Sequence, residues 1–192
     1  MFLLVPAYPG SPRSKAVKQL CVVANCIPLL IQQNVDGSNF FNRSWAEFKV
    51  GFNESGGNYW LGNDLLSQLT ANYRYKLRFD LQSRNHSYWY YAEYSTFRVL
   101  SEADNYKLRV GGYSGNAGYD AMAYVNDRMF TTYDRDNDLT AVKNCASNAA
   151  GGFWYSACAY CYVNSVTLSW AYLDGGGHPS PLQSSRMWLQ CK

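Results

Sequence analysis

An alternating run of apolar and polar residues at 75–81 is the feature that most constrains the fold of this 192-residue chain. A period of two puts one set of side chains on a buried face and the other in solvent, as in an antiparallel sheet with one wet face. Residues 88–99 are a further strand-like run, rich in aromatics and interrupted by Glu93, and residues 106–110 alternate again. The apolar residues 29–31 precede turn residues at 36–37. We therefore predict a mostly antiparallel sheet.

Short helices are predicted between these strands. Residues 44–52 place aromatic side chains three and four positions apart, which is typical of one face of a helix. Asn63 and Asp64 are residues that cap helices well, and we predict a second helix there with Leu66 and its leucine neighbours on the apolar side. From Gly111 onward the sequence is rich in Gly, Asn, Asp and Tyr, which predicts long loops that can carry function.

The cysteines and glycosylation sequons favour an oxidising, extracellular compartment. Six cysteines occur, and Asn-x-Ser sequons begin at Asn42, Asn53 and Asn85. The net charge is only +3 and no basic run occurs, so nucleic-acid binding has little support. The chain contains 17 tyrosines, a residue suited both to recognition surfaces and to β-rich cores.

The N-terminal part differs from the rest of the chain. Prolines and a glycine interrupt residues 1–28, and we predict a separate segment there, followed by a domain at 29–192. The apolar stretch 1–5 is too short for a signal peptide, and no stretch of about 18 apolar residues predicts a membrane span.

The densest group of carboxylates lies at residues 134–138, where three aspartates alternate with Arg135 and Asn137. Alternate carboxylates in a loop can converge on a hard cation such as Ca²⁺, which prefers six to eight oxygen ligands. The run is not an EF-hand, since Leu139 stands where that loop needs glycine and Cys145 where it needs glutamate. A solvated turn is the alternative interpretation, because Asp and Asn favour turns by themselves.

The C-terminal cysteines suggest a closed loop. A disulfide between Cys145 and Cys158 would enclose the aromatic residues 153–155 and would be worth about 3 kcal/mol in the chain-entropy model. The remaining four cysteines can pair in three ways, and the sequence does not choose among them. These four are Cys21, Cys26, Cys161 and Cys191.

Catalytic chemistry has little support in the sequence. The two histidines, His86 and His178, stand alone, which argues against a zinc site. No Ser/His/Asp or Cys/His arrangement is evident, and we do not expect an enzyme.

A series of short motifs runs through the chain in a fixed order. These segments are Asp36-Gly37-Ser38, Phe41-Asn42-Arg43-Ser44-Trp45, Lys49-Val50-Gly51-Phe52, Trp60-Leu61-Gly62-Asn63-Asp64, Leu69-Thr70, Tyr75-Lys76-Leu77-Arg78, Gly111-Gly112-Tyr113-Ser114-Gly115, the acidic run and Asn144-Cys145-Ala146. The series resembles the C-terminal domain of fibrinogen, also called the fibrinogen-related domain. The resemblance implies an α+β globe with a twisted antiparallel central sheet, short helices and a loop-rich C-terminal subdomain for calcium and ligand.

The resemblance also implies the residues of a site. A Ca²⁺ ion would be held by two side-chain carboxylates and two backbone carbonyls, those of Asp136, Asp138, Thr140 and Val142. The family disulfide corresponds to Cys145 and Cys158.

Members such as ficolins and tachylectins bind acetylated sugars beside the calcium, and their pocket resembles a stretch of this chain. The ligand-binding residues implied here are Phe153, Trp154, Tyr155 and Cys158. The histidine that follows the cysteine in the family is Ala159 here, so an imidazole hydrogen-bonding group is missing.

The resulting hypothesis is a secreted, calcium-dependent recognition module that binds acetylated glycans, as innate-immune lectins of the family do. The alternative is a protein-binding module without sugar binding, acting as a receptor ligand, a matrix component or a clotting-type partner. A third interpretation is a truncated product that folds poorly. A homo-oligomer formed through an upstream region is a further expectation, because family members often trimerise.

Overall fold

The computed structural model describes residues 27–173 and 179–192. The predicted N-terminal segment 1–28 falls almost wholly outside these residues, as do Cys21, Cys26 and His178, so the predicted domain boundary stays a prediction. In the described part of the chain, no helix is long and apolar enough to cross a membrane.

The described residues form eleven strands and three α-helices. The strands are β1 Leu29–Asn34, β2 Phe52–Asn53, β3 Tyr59–Trp60, β4 Tyr75–Ser83, β5 Trp89–Val99, β6 Leu108–Gly115, β7 Phe130–Thr131, β8 Phe153–Trp154, β9 Cys161–Tyr162, β10 Ser169–Trp170 and β11 Ser180–Cys191. The helices are α1 Trp45–Val50, α2 Asn63–Thr70 and α3 Cys145–Ala149.

Nine strands form one antiparallel sheet, in the order β2-β3-β1-β11-β4-β5-β6, with β10 and β9 attached beside the start of β11. Strands β7 and β8 make a separate two-stranded sheet. The architecture is therefore α+β with an antiparallel central sheet, as expected.

Strand β4 has the burial pattern that the alternation predicted. Tyr75, Leu77, Phe79 and Leu81 are buried, and the residues between them are half-buried. The predicted strand at 106–110 is displaced, because Tyr106 has a left-handed φ of 50° and lies before β6 begins. The side chain of Tyr106 is buried in the core instead.

The last strand, β11, lies in the middle of the sheet. It pairs with β1 from Leu29↔Leu189 to Asn34↔Ser185, and with β4 from Leu182↔Ser83 to Cys191↔Tyr75. The first and last described strands are thus neighbours, and the chain closes its sheet with its C-terminal segment.

The helices begin and end at specific local signals. The Ser44 side chain accepts from the backbone N–H of Glu47, whose carboxylate accepts from the Ser44 backbone N–H at 2.9 Å, a capping box for α1. Gly51, with φ of 88°, ends α1, so Phe52 lies in β2 and not in the predicted helix. The predicted cap of α2 is corrected too: Asn63 is the first helical residue, and its side chain accepts from the Trp60 indole.

An aromatic cluster joins the two sheets and α1. Phe130 of β7 lies 5.1 Å from Phe48 of α1 and 5.2 Å from Trp154 of β8, measured between ring centroids. Trp60 of β3 lies 5.6 Å from Phe48. All four side chains are buried, and edge-to-face aromatic contacts of this kind add to the burial of apolar area. The cluster holds the small sheet, and the loops that follow it, against the large one.

Candidate functional site

The loop between β7 and α3 carries the acidic run, and its first aspartate ties it to α1. Asp134 accepts hydrogen bonds from the backbone N–H of Trp45 at 2.9 Å and from the hydroxyl of Thr132 at 2.7 Å. Trp45 is the first residue of α1, where an N–H group has no partner within the helix. Asp134 therefore has a structural role in holding the loop.

Asp138 organises the rest of the loop. One carboxylate oxygen accepts from the backbone N–H and the hydroxyl of Thr140, at 2.7 and 2.6 Å, and the other accepts from the backbone N–H of Cys145 at 2.8 Å. Asp136 accepts from the backbone N–H of Asp138 at 3.2 Å. Because a carboxylate has about four lone-pair sites, both side chains keep acceptor capacity for a cation.

The carboxylate of Asp138 affects the pKa of Asp136. Partial burial raises the pKa of Asp136, the negative charge of Asp138 adds to the rise, and the hydrogen bond from the Asp138 backbone partly offsets it. A divalent cation between the two groups would remove this repulsion, since a nearby positive charge favours the ionised carboxylate.

Backbone carbonyls near these carboxylates in sequence are the other oxygen atoms that could help to hold a hard cation. In the residues that the structure describes, no group of three or more His, Cys, Asp and Glu side chains could hold a metal, so two carboxylates need help from the backbone. Within the same residues, neither the carbonyl of Thr140 nor that of Val142 accepts a hydrogen bond. These carbonyl oxygens are therefore available as ligands, as calcium prefers.

A disulfide clamps the far side of the loop. Cys145, at the start of α3, is bonded to Cys158, with a Cα–Cα distance of 5.3 Å, and the expected pairing is thus present. The backbone N–H of Leu139 also donates to the carbonyl of Ser156 at 3.0 Å. The acidic loop is fastened to the segment after β8 at both of these points.

The aromatic residues expected to contact a ligand lie in the core. The exposed fractions of Phe153, Trp154 and Tyr155 are 1%, 0% and 1%. The Tyr155 hydroxyl donates to the carbonyl of Gly151 at 2.7 Å, and the Trp154 indole donates to the carbonyl of Tyr106 at 2.7 Å. In this structure these rings pack inside the core and have almost no accessible surface, and their contact with a ligand stays a prediction.

The neighbouring pocket positions have internal partners as well. The N–H of Ala159, the residue in place of the family histidine, points to the Tyr162 hydroxyl at 3.4 Å. Asn164 is buried, donates to the carbonyl of Gly152 at 3.1 Å and accepts from Gln32. Cys158 is half-buried with a left-handed φ of 67°. Of the implied pocket residues, Cys158 is the one with accessible surface.

A row of tyrosines on the surface was not predicted. Tyr160 lies 4.7 Å from Tyr124 and 5.6 Å from Tyr119, which in turn lies 5.2 Å from Tyr172, all between ring centroids. All but the half-buried Tyr160 are exposed. The four residues come from three separate stretches of the chain, so the high tyrosine content was the one signal in the sequence that could have indicated this row.

The remaining predicted positions are placed as follows. The three sequon residues Asn42, Asn53 and Asn85 are exposed, and their glycosylation stays a prediction. Cys161, one of the four cysteines whose pairing was left open, is buried and unpaired. Cys191, another of the four, is disulfide-bonded.

The sequence matches the family model for the C-terminal globular domain of fibrinogen beta and gamma chains over residues 22–176. The chain belongs to the fibrinogen C-terminal domain family. The acidic loop, the disulfide and α3 all fall within the matched residues of this fibrinogen C-terminal domain.

Relatives of this fibrinogen C-terminal domain occur in several kinds of protein. Angiopoietin-related protein 1 of Mus musculus is 46% identical over 128 residues, which are 67% of this chain and 26% of that protein. Ficolin-3 of Homo sapiens is 36% identical over 162 residues, covering 79% and 54%. The chain thus spans about a quarter to a half of the length of these curated relatives.

A solved structure confirms the fold. The fibrinogen-like globe domain of human ANGPTL2 superposes with a TM-score of 0.76 at 30% sequence identity, covering 92% of this chain and 96% of that one.

Proposed function

We propose that this domain is an extracellular, calcium-dependent recognition module whose ligand is another protein. The observation that carries the proposal is the row formed by the exposed Tyr119, Tyr124 and Tyr172 around the half-buried Tyr160, which follows the Cys145–Cys158 disulfide in the chain. Tyrosines supply large, rigid contact area with a polar tip and are enriched in the cores of protein interfaces.

The acidic loop adds a second patch of exposed apolar surface. The side chains of Leu139 and Val142 point into solvent, and Val142 is 91% exposed. Exposed apolar groups on an ordered loop are typical of interaction sites when they occur together. Tyr160 follows the disulfide-bonded Cys158 by two residues, so the same covalent clamp supports both patches.

In this proposal a calcium ion would be held by the carboxylates of Asp136 and Asp138 and the carbonyls of Thr140 and Val142. The ion would supply positive charge to the paired carboxylates and hold the loop in one conformation. The protein's own contribution is the hydrogen bonding of Asp138 to Thr140 and Cys145, which positions the carboxylate before any ion arrives.

The test of the metal site is thermal unfolding with and without calcium. A ligand at one hundred times its Kd stabilises the native state by about 2.7 kcal/mol, so Tm should rise by several degrees in CaCl₂. Asp136→Asn should abolish that rise. Asp134→Asn is the matched control from the same run: it should lower the basal Tm, because the tie to Trp45 is weakened, and keep the calcium increment. If the Asp136→Asn variant kept the wild-type rise of Tm in calcium, the proposed metal site would be wrong.

The same preparation tests the ligand class. Calcium-loaded protein should bind cell surfaces, and the binding should be lost after protease treatment of the cells and kept after enzymatic removal of their glycans. The double variant Tyr119→Ser/Tyr172→Ser should bind more weakly, and Tyr88→Ser, an exposed tyrosine outside the row, should not. Loss of binding on glycan removal would exclude a protein ligand.

An acetylated glycan is the second candidate ligand, and one observation favours it. The disulfide-bonded Cys158 keeps accessible surface and a left-handed backbone at the place where the ficolin-like pocket is implied. If this candidate is right, the protein is retained on acetylated resin in calcium and released by a chelator. Equal retention in chelator argues against it.

A further inference from the structure

A shallow surface cleft of about 350 Å³ lies beside the acidic loop, and its walls include a glycosylation sequon. The cleft is lined by Asn42, Tyr133 and Ser147. Its volume falls at the lower end of the range for small-molecule sites. The three residues come from the turn before α1, from the loop before the acidic run, and from α3, so the cleft exists only in the folded chain.

Asn42 is held in place at the edge of the cleft. It follows the 3-10 turn Asn39–Phe41, and its backbone N–H donates to the carbonyl of Asn39 at 3.2 Å. The residue is exposed, and its side-chain amide makes no hydrogen bond to the described part of the chain. The amide nitrogen of Asn42, which would carry a sugar, is therefore accessible, and the backbone hydrogen bond to Asn39 fixes the position of the residue.

Tyr133 forms another wall with an accessible ring. The side chain is 49% exposed and lies at the start of the acidic loop. An aromatic face carries partial negative charge and attracts the C–H groups of a flat apolar surface, such as one face of a hexose ring. The hydroxyl of Ser147 adds a polar group to the same cleft.

We propose that an N-linked glycan on Asn42 folds back into this cleft, and that its first N-acetylglucosamine packs on the ring of Tyr133. In the modification, the amide nitrogen of Asn42 bonds to the anomeric carbon of an oligosaccharide, loses a proton and displaces a polyprenyl pyrophosphate. The proposal requires the secretory route of the proposed function but neither its calcium site nor its ligand.

The sequon hydroxyl indicates when the sugar is added. In the folded chain the Ser44 hydroxyl lies 2.8 Å from the Glu47 carboxylate and accepts from the Glu47 backbone N–H as part of the capping box. The hydroxyl that the sequon supplies is thus engaged once α1 forms. The sugar is therefore attached before folding, and it packs into the cleft when the native structure forms.

The other two sequons provide the contrast. Asn53 lies in the short strand β2, and Asn85 lies in the turn between β4 and β5, and neither residue lines this cleft. A glycan at either place projects into solvent, where it contributes solubility more than packing. Asn85→Gln is therefore a matched control for Asn42→Gln.

The experiment is a double-mutant cycle on protein secreted by mammalian cells, with its glycans trimmed to one N-acetylglucosamine and with chelator present. Asn42→Gln should lower Tm by about 2–4 °C when Tyr133 is present and by much less in a Tyr133→Ser background. Tyr133→Phe should keep the effect, because the ring is retained. Asn85→Gln should show no coupling to Tyr133.

Two results would overturn the proposal: an unmodified Asn42 in the secreted protein by mass spectrometry, or strictly additive effects of Asn42→Gln and Tyr133→Ser. Nuclear Overhauser contacts between the sugar and the Tyr133 ring would support it directly. Because chelator is present throughout, the outcome is independent of whether Asp136 and Asp138 bind calcium.

Discussion

Gly151 is the residue at which the fold leaves least room for a side chain. A Cβ atom there would lie 1.5 Å from the carbonyl oxygen of Asn164, closer than atoms can approach. A Cβ atom on Gly152 would lie 2.6 Å from a carbon of the Phe48 ring. The paired glycines therefore let the chain after α3 pass directly over the segment before β10 and against α1.

Gly151→Ala should therefore destabilise the protein strongly. The backbone of residue 164 must move, and overpacking of this kind costs about 3 kcal/mol. Gly111→Ala is the matched control, because nothing lies within 4 Å of its added Cβ, and its change should stay within about 0.5 kcal/mol. Urea unfolding midpoints measure both. Equal midpoints for the two variants would show that the close approach at Gly151 does not exist.

At the scale of the element, α1 owes its position to charges and caps as much as to packing. Its N-terminal turn contains the capping box of Ser44 and Glu47 and receives the carboxylate of Asp134. A six-residue helix has few hydrogen bonds of its own, so these contacts decide whether it forms. Since α1 carries Phe48 of the aromatic cluster, the caps also hold that cluster together.

Loss of the capping carboxylate should make stability depend less on pH. The hydrogen bond from the Ser44 backbone holds the pKa of Glu47 below its usual value. A lowered folded-state pKa contributes stability that is present above the unfolded value near 4.5 and is lost as pH falls through the folded value. Glu47→Ala should thus cost about 1 kcal/mol at pH 7, and the deficit should shrink toward pH 3.

Glu47→Gln is the control for this titration. Glutamine offers the same acceptor to the Ser44 backbone without a titratable proton, so its advantage over Glu47→Ala should stay constant between pH 7 and pH 3. Denaturant midpoints at a series of pH values give both curves. A wild-type advantage over alanine that does not change with pH would contradict the role assigned to the ionised carboxylate.

For the whole molecule, the central strand β11 determines whether the sheet exists. Strands β1 and β4 do not pair with each other, and both pair with β11. Met187 and Leu189 on this strand are fully buried. Without it, two strands would each expose an unpaired edge, and the core between them would open to water.

A chain that ends at residue 179 should therefore not fold cooperatively. Its near-UV circular dichroism should be lost, and thermal unfolding should show no sharp transition. A chain lacking only Lys192, which lies after β11 and contributes one backbone hydrogen bond to the carbonyl of Arg74, should keep a sharp transition close to that of the wild type. A cooperative transition in the longer truncation would mean that the remaining strands make a stable sheet by themselves.

The features predicted correctly from sequence are those with a local signal. The alternation at 75–81 is recovered in β4, the aromatic spacing at 44–52 indicated α1, and the ordered series of motifs indicated the family and the Cys145–Cys158 disulfide. Two element boundaries were predicted wrongly, the end of α1 and the start of β6. Each is set by a positive φ angle at a single residue, Gly51 or Tyr106. Those angles depend on contacts made elsewhere in the chain.

The sequence by itself determined the period of strand β4, the aromatic face of α1, the family and the position of the acidic loop, because each of these is encoded in neighbouring residues. Only the tertiary structure decided that Phe153, Trp154 and Tyr155 face inward while Tyr119, Tyr124 and Tyr172 face outward. A high aromatic content is typical both of a β-rich core and of a recognition surface, so composition does not distinguish the two. Whether an aromatic side chain is buried or exposed depends on packing between segments far apart in sequence. The last strand, β11, completes that packing.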